Sequence, residues 1–169
     1  MTKREIEVFA KQTLNDHGIQ GIPVDPVILA NKLGIKVSNA VFSDASLSGM
    51  IAKRGASTTL LVNDNDSINR KRFTIAHELG HLLLHLHTGN DGEFVDSEVD
   101  FFRTESSDGV KIHEVEANQF AAALLMDADL VKKYWNEFKN LETLCEIFQV
   151  SESAMGIRLS SLGVDVNGK

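Results

Sequence analysis

The N-terminal part of the chain carries hydrophobic positions at helical spacing. Side chains three or four residues apart predict a first helix over residues 2–17. These positions are Ile6, Phe9, Ala10 and Leu14. Asp25 followed by Pro26 is typical of a helix N-cap and first turn, and Gly34 of a helix end. A short second helix is therefore expected between them.

Short runs of β-type residues follow, separated by polar breaks. The runs span residues 35–41, 47–52 and 58–62. This pattern predicts a small, mostly antiparallel sheet.

A longer hydrophobic segment then runs from about Ser67 to His87. Its apolar residues lie on nearly every face of a helix, which indicates a central, buried helix. The connection after it, residues 89–110, holds seven acidic side chains and one basic side chain, Arg103. Within it, residues 99–103 have the pattern of a short strand. Connections of this length in a compact domain are often functional.

The rest of the chain predicts helices. A strong helix is expected over residues 111–126. Three shorter helices are expected near residues 128–137, 140–148 and 151–162. We therefore predict an α+β fold in which the small sheet packs on the central helix. Residues 1–137 would form one domain, and residues 138–169 a helical appendage packed on it.

Composition narrows the possible partners. The 169 residues include 17 basic and 24 acidic side chains, which gives a net charge of −7, and no run of the sequence is basic. Nucleic acid and anionic membranes are therefore not expected as general partners. Cys145 is the only cysteine and has no partner for an intramolecular disulfide, which fits a reducing compartment. Because the sequence also lacks a signal-peptide core and a membrane-spanning stretch, we expect a cytoplasmic protein.

Candidate chemistry lies in residues 77–81, which read His-Glu-x-x-His on the predicted central helix. Helix positions four residues apart share one face, so His77 and His81 can each offer a ring nitrogen to one metal ion, with Glu78 beside it. A catalytic zinc usually takes three protein ligands and keeps one position for water. The motif therefore requires a third ligand elsewhere.

The helix over residues 111–126 offers that ligand. On a helical wheel, Glu114 lies in the middle of the apolar stripe, where a lone carboxylate is costly unless a cation neutralises it. Glu116 falls on the opposite, solvated side. Asn118, one turn after Glu114, can accept a hydrogen bond from a ligand histidine. We predict one Zn²⁺ per chain on the two histidines and Glu114, although imidazole with carboxylate also admits manganese or iron.

Other assignments compete with this one. His87 stands where a longer zinc motif has its third histidine, but Leu84 replaces the glycine that the required turn needs. His85 lies too far along the helix for an ion seated between the first two histidines. A chance match of the motif on a core helix is the simplest alternative. The candidates for stabilising a developing oxyanion or binding substrate are Tyr134, His113 and Arg103.

Two segments together resemble a known family. Residues 72–81, RFTIAHELGH, and residues 114–126, EVEANQFAAALLM, are similar to the ImmA/IrrE family of metallo-endopeptidases. Further similar segments, which extend the resemblance over most of the chain, lie at residues 23–25, 33–35, 48–50, 100–103 and 158–163. Asp127 departs from the family pattern, which commonly has proline there, but aspartate can cap the helix that follows.

The resemblance implies a zincin-like fold and a zinc-dependent endopeptidase. It further implies that the substrate is a partner protein, a helix-turn-helix transcriptional repressor. Members of the family are often encoded on phages and other mobile elements. The resemblance also implies that His77, His81 and Glu114 are the metal ligands and that Glu78 is the catalytic base.

Two other functions stay open on the sequence. One is a non-proteolytic regulatory protein with a structural or sensory zinc. The other is DNA binding through residues 141–163, which have the rhythm of a helix-turn-helix but few basic side chains. The same segment would also suit packing on the catalytic core or docking of a protein substrate. We favour the endopeptidase because a structural zinc site has no use for Glu78.

Overall fold

The computed structural model describes residues 1–44, 47–54, 57–85 and 108–164. These residues form an α+β fold, as predicted. The elements are α1 (Lys3–Asp16), α2 (Pro26–Lys32), β1 (Ile35–Ala40), β2 (Gly49–Arg54), β3 (Ser57–Asn63), α3 (Ile68–His85), α4 (Asp108–Leu125), α5 (Ala128–Phe138), α6 (Leu141–Phe148) and α7 (Glu152–Ser161).

The helix starts follow from side chains that cap free backbone N–H groups. The carboxylate of Asp25 accepts a hydrogen bond from the Val27 N–H, and Pro26 occupies the first helical position, as the sequence predicts for α2. Asp127 caps α5 by accepting from two backbone N–H groups, which confirms the interpretation of this position. Asn140 and Ser151 cap α6 and α7, and each accepts from one backbone N–H group.

The sheet differs from the prediction in one respect. Its strand order is β1-β3-β2, with β2 antiparallel to β3 but β1 parallel to β3. The expectation of a mostly antiparallel sheet is therefore corrected to a mixed one. β1 and β3 run in the same direction, and β2 runs opposite to both. Because β3 lies between the other two strands, it forms one parallel pair, with β1, and one antiparallel pair, with β2.

Helix α3 packs between the sheet and α4, and it contacts α4 more extensively than any other element. Gly80 explains the close approach of the two helices, because a Cβ atom there would lie 3.1 Å from the Cα and carbonyl oxygen of Ala117. Leu79 of α3, Phe120 of α4 and Leu60 of β3 are fully buried in the shared core.

The C-terminal helices contribute to the same hydrophobic core, through buried residues such as Phe148, Met155 and Leu159. The Arg158 side chain, 2% exposed, donates to the Met126 carbonyl oxygen and forms a two-pronged ion pair with Glu7 of α1. The division into residues 1–137 and 138–169 stays a prediction.

Several predicted features lie outside the described residues. They are His87, Arg103, the proposed strand over residues 99–103 and most of the acidic connection. Within the described residues, no helix combines the length and apolar character needed to cross a lipid bilayer.

Candidate metal centre

Three side chains from two helices converge at the predicted site. The Nε2 atoms of His77 and His81, one turn apart on α3, lie 3.0 Å from each other. The Glu114 carboxylate of α4 faces both, with oxygen atoms 3.3 Å from His77 Nε2 and 3.1 Å from His81 Nε2. These three side chains, called the metal group below, could hold a metal ion.

The spacing of the donor atoms fits a small divalent cation. Zinc bonds of about 2.0 to 2.2 Å in a tetrahedral arrangement separate neighbouring ligand atoms by roughly 3.3 to 3.6 Å. Two of the three separations, 3.0 and 3.1 Å, fall slightly below that range, and the third, 3.3 Å, is at its lower limit, so a small outward movement of the side chains would accommodate the ion. Two imidazoles and one carboxylate are a donor set that zinc readily accepts.

Burial keeps both histidines in the form that binds metal. The side chain of His81 is 1% exposed, and burial lowers its pKa to about 3, with repulsion from the neighbouring histidines acting in the same direction. Burial also lowers the pKa of His77, against the opposing effect of the Glu114 carboxylate. Neutral imidazole is therefore the form of His81 near neutral pH, and no proton competes there with a metal ion.

The structure revises the environments of the two glutamates on α4. The Glu114 side chain is 43% exposed, so the site opens to solvent and the carboxylate is not enclosed in the apolar stripe. The Glu116 side chain, predicted to be solvated, is only 12% exposed. Its carboxylate lies 3.7 Å from His85 Nδ1 and contacts the amino group of Met1. Met1, just before α1, and His85 of α3 therefore lie against this side of α4.

Asn118 lies where the wheel suggests, one turn after Glu114. Its Oδ1 atom is 3.1 Å from His77 Nδ1. An Nδ1–H that donates to this oxygen leaves the lone pair on Nε2, the nitrogen that faces His81 and Glu114.

Glu78 is buried beside the group, with 7% exposure. The start of strand β2 covers it: a Cβ atom added at Gly49 would lie 3.7 Å from Glu78 Cγ and only 2.4 Å from Thr74 Cγ2. Sequence reasoning missed both Gly49 and Thr74. The available signal was a glycine at the start of a strand pattern, which often marks a close approach between backbones.

The remaining candidates are distributed differently. His113 is exposed and stacks on His85, with ring centroids 4.0 Å apart. The His85 ring in turn lies 5.7 Å from the His81 ring, between centroids. Tyr134 packs against Phe138 and Phe148, so its described contacts are with the C-terminal helices. Arg103 lies outside the described residues.

The sequence matches a known family over most of its length. Residues 30–160 fit the family model of the IrrE N-terminal-like domain, a metallopeptidase family. The chain belongs to this family. Comparison with curated proteins gives no match.

A solved structure supports the fold of this IrrE-like domain. A transcriptional regulator from Mycobacterium tuberculosis superposes with a TM-score of 0.66 over 92% of the chain, at 15% sequence identity. The chain spans about half of that structure, 47% of its length. At this identity the similarity concerns the fold alone.

Proposed function

We propose that this IrrE-like domain is a zinc-dependent endopeptidase. The observation that carries the proposal is the convergence of His77, His81 and Glu114, with the buried carboxylate of Glu78 next to the first histidine in the chain. A purely structural zinc site would be closed by a fourth protein ligand, whereas 43% exposure of Glu114 leaves one side of this group open.

In this proposal the residues divide the work of peptide hydrolysis. His77, His81 and Glu114 would hold the zinc ion, which when bound would supply a water of lowered pKa and polarise the scissile carbonyl. Glu78 accepts the proton of the attacking water and passes it to the leaving amine. Asn118 holds His77 in the correct tautomer. Of the two candidates within the described residues, His113, which is exposed and precedes Glu114 in the chain, is preferred over Tyr134 for stabilising the oxyanion or contacting substrate.

The proposed substrate is a partner protein, namely a helix-turn-helix transcriptional repressor. The sequence resemblance to the ImmA/IrrE endopeptidases supports this assignment. The similar fold of a transcriptional regulator also links this kind of domain to control of transcription.

The first experiment measures metal content in matched variants. Wild type, Glu114→Gln and Glu116→Gln are dialysed gently with zinc and then analysed for bound metal. We expect about one zinc in the wild type and in Glu116→Gln, and a loss in Glu114→Gln. The pair is well matched because the two glutamates lie on the same helix and both changes remove one negative charge. Equal metal content in all three proteins would remove Glu114 from the ligand set.

The second experiment separates proteolysis from metal-dependent regulation. Glu78→Gln removes the base while leaving the three ligands in place. We expect this variant to retain zinc and to lose cleavage of the partner repressor. Undiminished cleavage by the zinc-loaded variant would contradict the mechanism.

A non-proteolytic regulator is the second candidate function, and the fold shared with a transcriptional regulator favours it. It predicts that zinc-loaded wild type binds the repressor without cleaving it, and that Glu78→Gln binds equally well. Direct DNA reading has less support, because the described part of α7 has one basic side chain, Arg158, and this side chain is buried against Glu7.

A further inference from the structure

Arg70, in the first turns of α3, has a guanidinium group that is fixed at one end and exposed at the other. Its Nε atom donates to the Ser48 hydroxyl at 2.9 Å and lies 3.3 Å from an Asp66 carboxylate oxygen. The side chain is nevertheless 63% exposed. Within the described residues, the two Nη nitrogens make no hydrogen bond.

This arginine lies on the same face of α3 as the metal group. At about 100° per residue, Arg70 is within roughly 20° of both His77 and His81 on the helical wheel. At about 1.5 Å per residue, it precedes His77 by roughly 10 Å along the helix axis.

The start of β2 connects the two places. Ser48, which binds Arg70, is followed by Gly49, whose backbone approaches Thr74 and Glu78. The start of β2 thus lies along α3 between Arg70 and the proposed catalytic carboxylate.

We propose that Arg70 is a specificity-determining residue that binds a carboxylate of the substrate, an aspartate or glutamate side chain three to four residues from the scissile bond. The proposal rests on the proposed function. An extended peptide rises about 3.3 Å per residue, so three to four residues cover the distance between the metal group and Arg70. A planar guanidinium with free Nη donors suits a carboxylate better than a neutral amide.

The test uses peptide hydroxamates, whose metal-binding end anchors them without any hydrolysis. Two series of six-residue peptides carry the hydroxamate at the C-terminal or the N-terminal end, so that the peptide extends to either side of the ion. Within each series, aspartate is compared with asparagine at the third and fourth residues from the hydroxamate. Dissociation constants are measured for the zinc-loaded full chain in low salt, with wild type, Arg70→Gln and Arg4→Gln. Arg4→Gln is the matched control because it removes an exposed arginine from α1.

In one of the two series, wild type and Arg4→Gln should bind the aspartate peptide about three- to fivefold more tightly than the asparagine peptide, the size expected of an exposed ion pair. Arg70→Gln should bind the two equally. An unchanged preference in Arg70→Gln, or no preference in either series of the wild type, would overturn the proposal. If the hydroxamates bind but no peptide is cleaved, the result would count against the endopeptidase and leave the role of Arg70 in binding standing. If no hydroxamate binds to the wild type, the metal centre fails and this proposal fails with it.

Discussion

The Nδ1 atom of His77 and the Oδ1 atom of Asn118 lie 3.1 Å apart and join the motif helix to α4 beside the metal group. The contact orients an imidazole whose other nitrogen faces His81 and Glu114. The helix that carries the proposed carboxylate ligand thus also orients one of the proposed histidine ligands.

Removing this contact should weaken metal binding. We expect Asn118→Ala to raise the zinc dissociation constant by about 10- to 100-fold, the usual effect of losing a partner that orients a ligand. Asn118→Asp, which keeps an acceptor oxygen, should stay within severalfold of the wild type. Competition with a chelating dye measures these constants. Gln119→Ala is the control on the next residue, and an effect equal to that of Asn118→Ala would refute a specific role for the contact.

A methyl group at Gly80 should force α3 and α4 apart. The added Cβ atom would lie 3.1 Å from backbone atoms of Ala117 and from the Phe120 ring. We expect Gly80→Ala to lower the free energy of unfolding by about 1 to 3 kcal/mol, as overpacking does, and to weaken zinc binding because Glu114 moves with α4. Urea unfolding and dye competition measure the two effects.

Gly156→Ala is the matched control for Gly80→Ala. Gly156 also lies within a helix, α7, but a Cβ atom there meets nothing within 4 Å. This change should stabilise the protein by about 0.5 to 1 kcal/mol through helix propensity and leave zinc binding unchanged. If both variants behaved alike, the close approach of α3 and α4 would not explain the result.

The metal-free protein should lose stability in mild acid. The pKa of His81 is about 3 in the folded chain and near 6.5 in the unfolded chain, so the unfolded chain binds the proton first as the pH falls. The contribution of neutral His81 is complete above pH of about 6.5 and declines below it, by at most about 1.4 kcal/mol per pH unit. Urea unfolding in the presence of a chelator, between neutral and mildly acidic pH, measures this slope.

His81→Gln is the comparison for the acid effect. This variant lacks the titrating imidazole, so its stability should fall less steeply over the same pH range. His77, whose pKa is also lowered, would still contribute. Parallel pH profiles for wild type and His81→Gln would show that protonation of His81 is not the cause.

Arg158 should matter for stability and not for DNA binding. Arg158→Met leaves the Glu7 carboxylate and the Met126 carbonyl oxygen without their partner, and we expect a loss of about 3 kcal/mol. Arg4→Met, at an exposed position, should change stability by less than about 0.5 kcal/mol. Urea unfolding compares them. Salt-sensitive binding of duplex DNA by wild type that Arg158→Met abolishes, without loss of stability, would contradict this assignment.

Local signals in the sequence were sufficient for much of the fold. The caps of α2 and α5 and the apolar periodicity of α1 predicted helices close to their observed bounds, because these signals depend on neighbours in the chain. The helical wheel also placed Asn118 on the side of α4 that faces His77. Such features need no knowledge of tertiary contacts.

Features that depend on distant parts of the chain were not accessible in this way. The strand order β1-β3-β2 is set by pairing between strands, and nothing in the separate runs specifies it. A helical wheel treats α4 as if the helix stood alone, so it predicts a solvated Glu116, whereas Met1 and His85 lie against this side chain. Gly49 and Gly80 have roles only because another element approaches them.

The ligands of the candidate metal centre belong to α3 and α4, which are separated by a long stretch of sequence. An ion bound there would act as a cross-link between the two helices, and its binding free energy would add to that of folding. In a cell short of the ion, the chain would open more often and become accessible to general degradation. The abundance of this protein would then follow the supply of its metal.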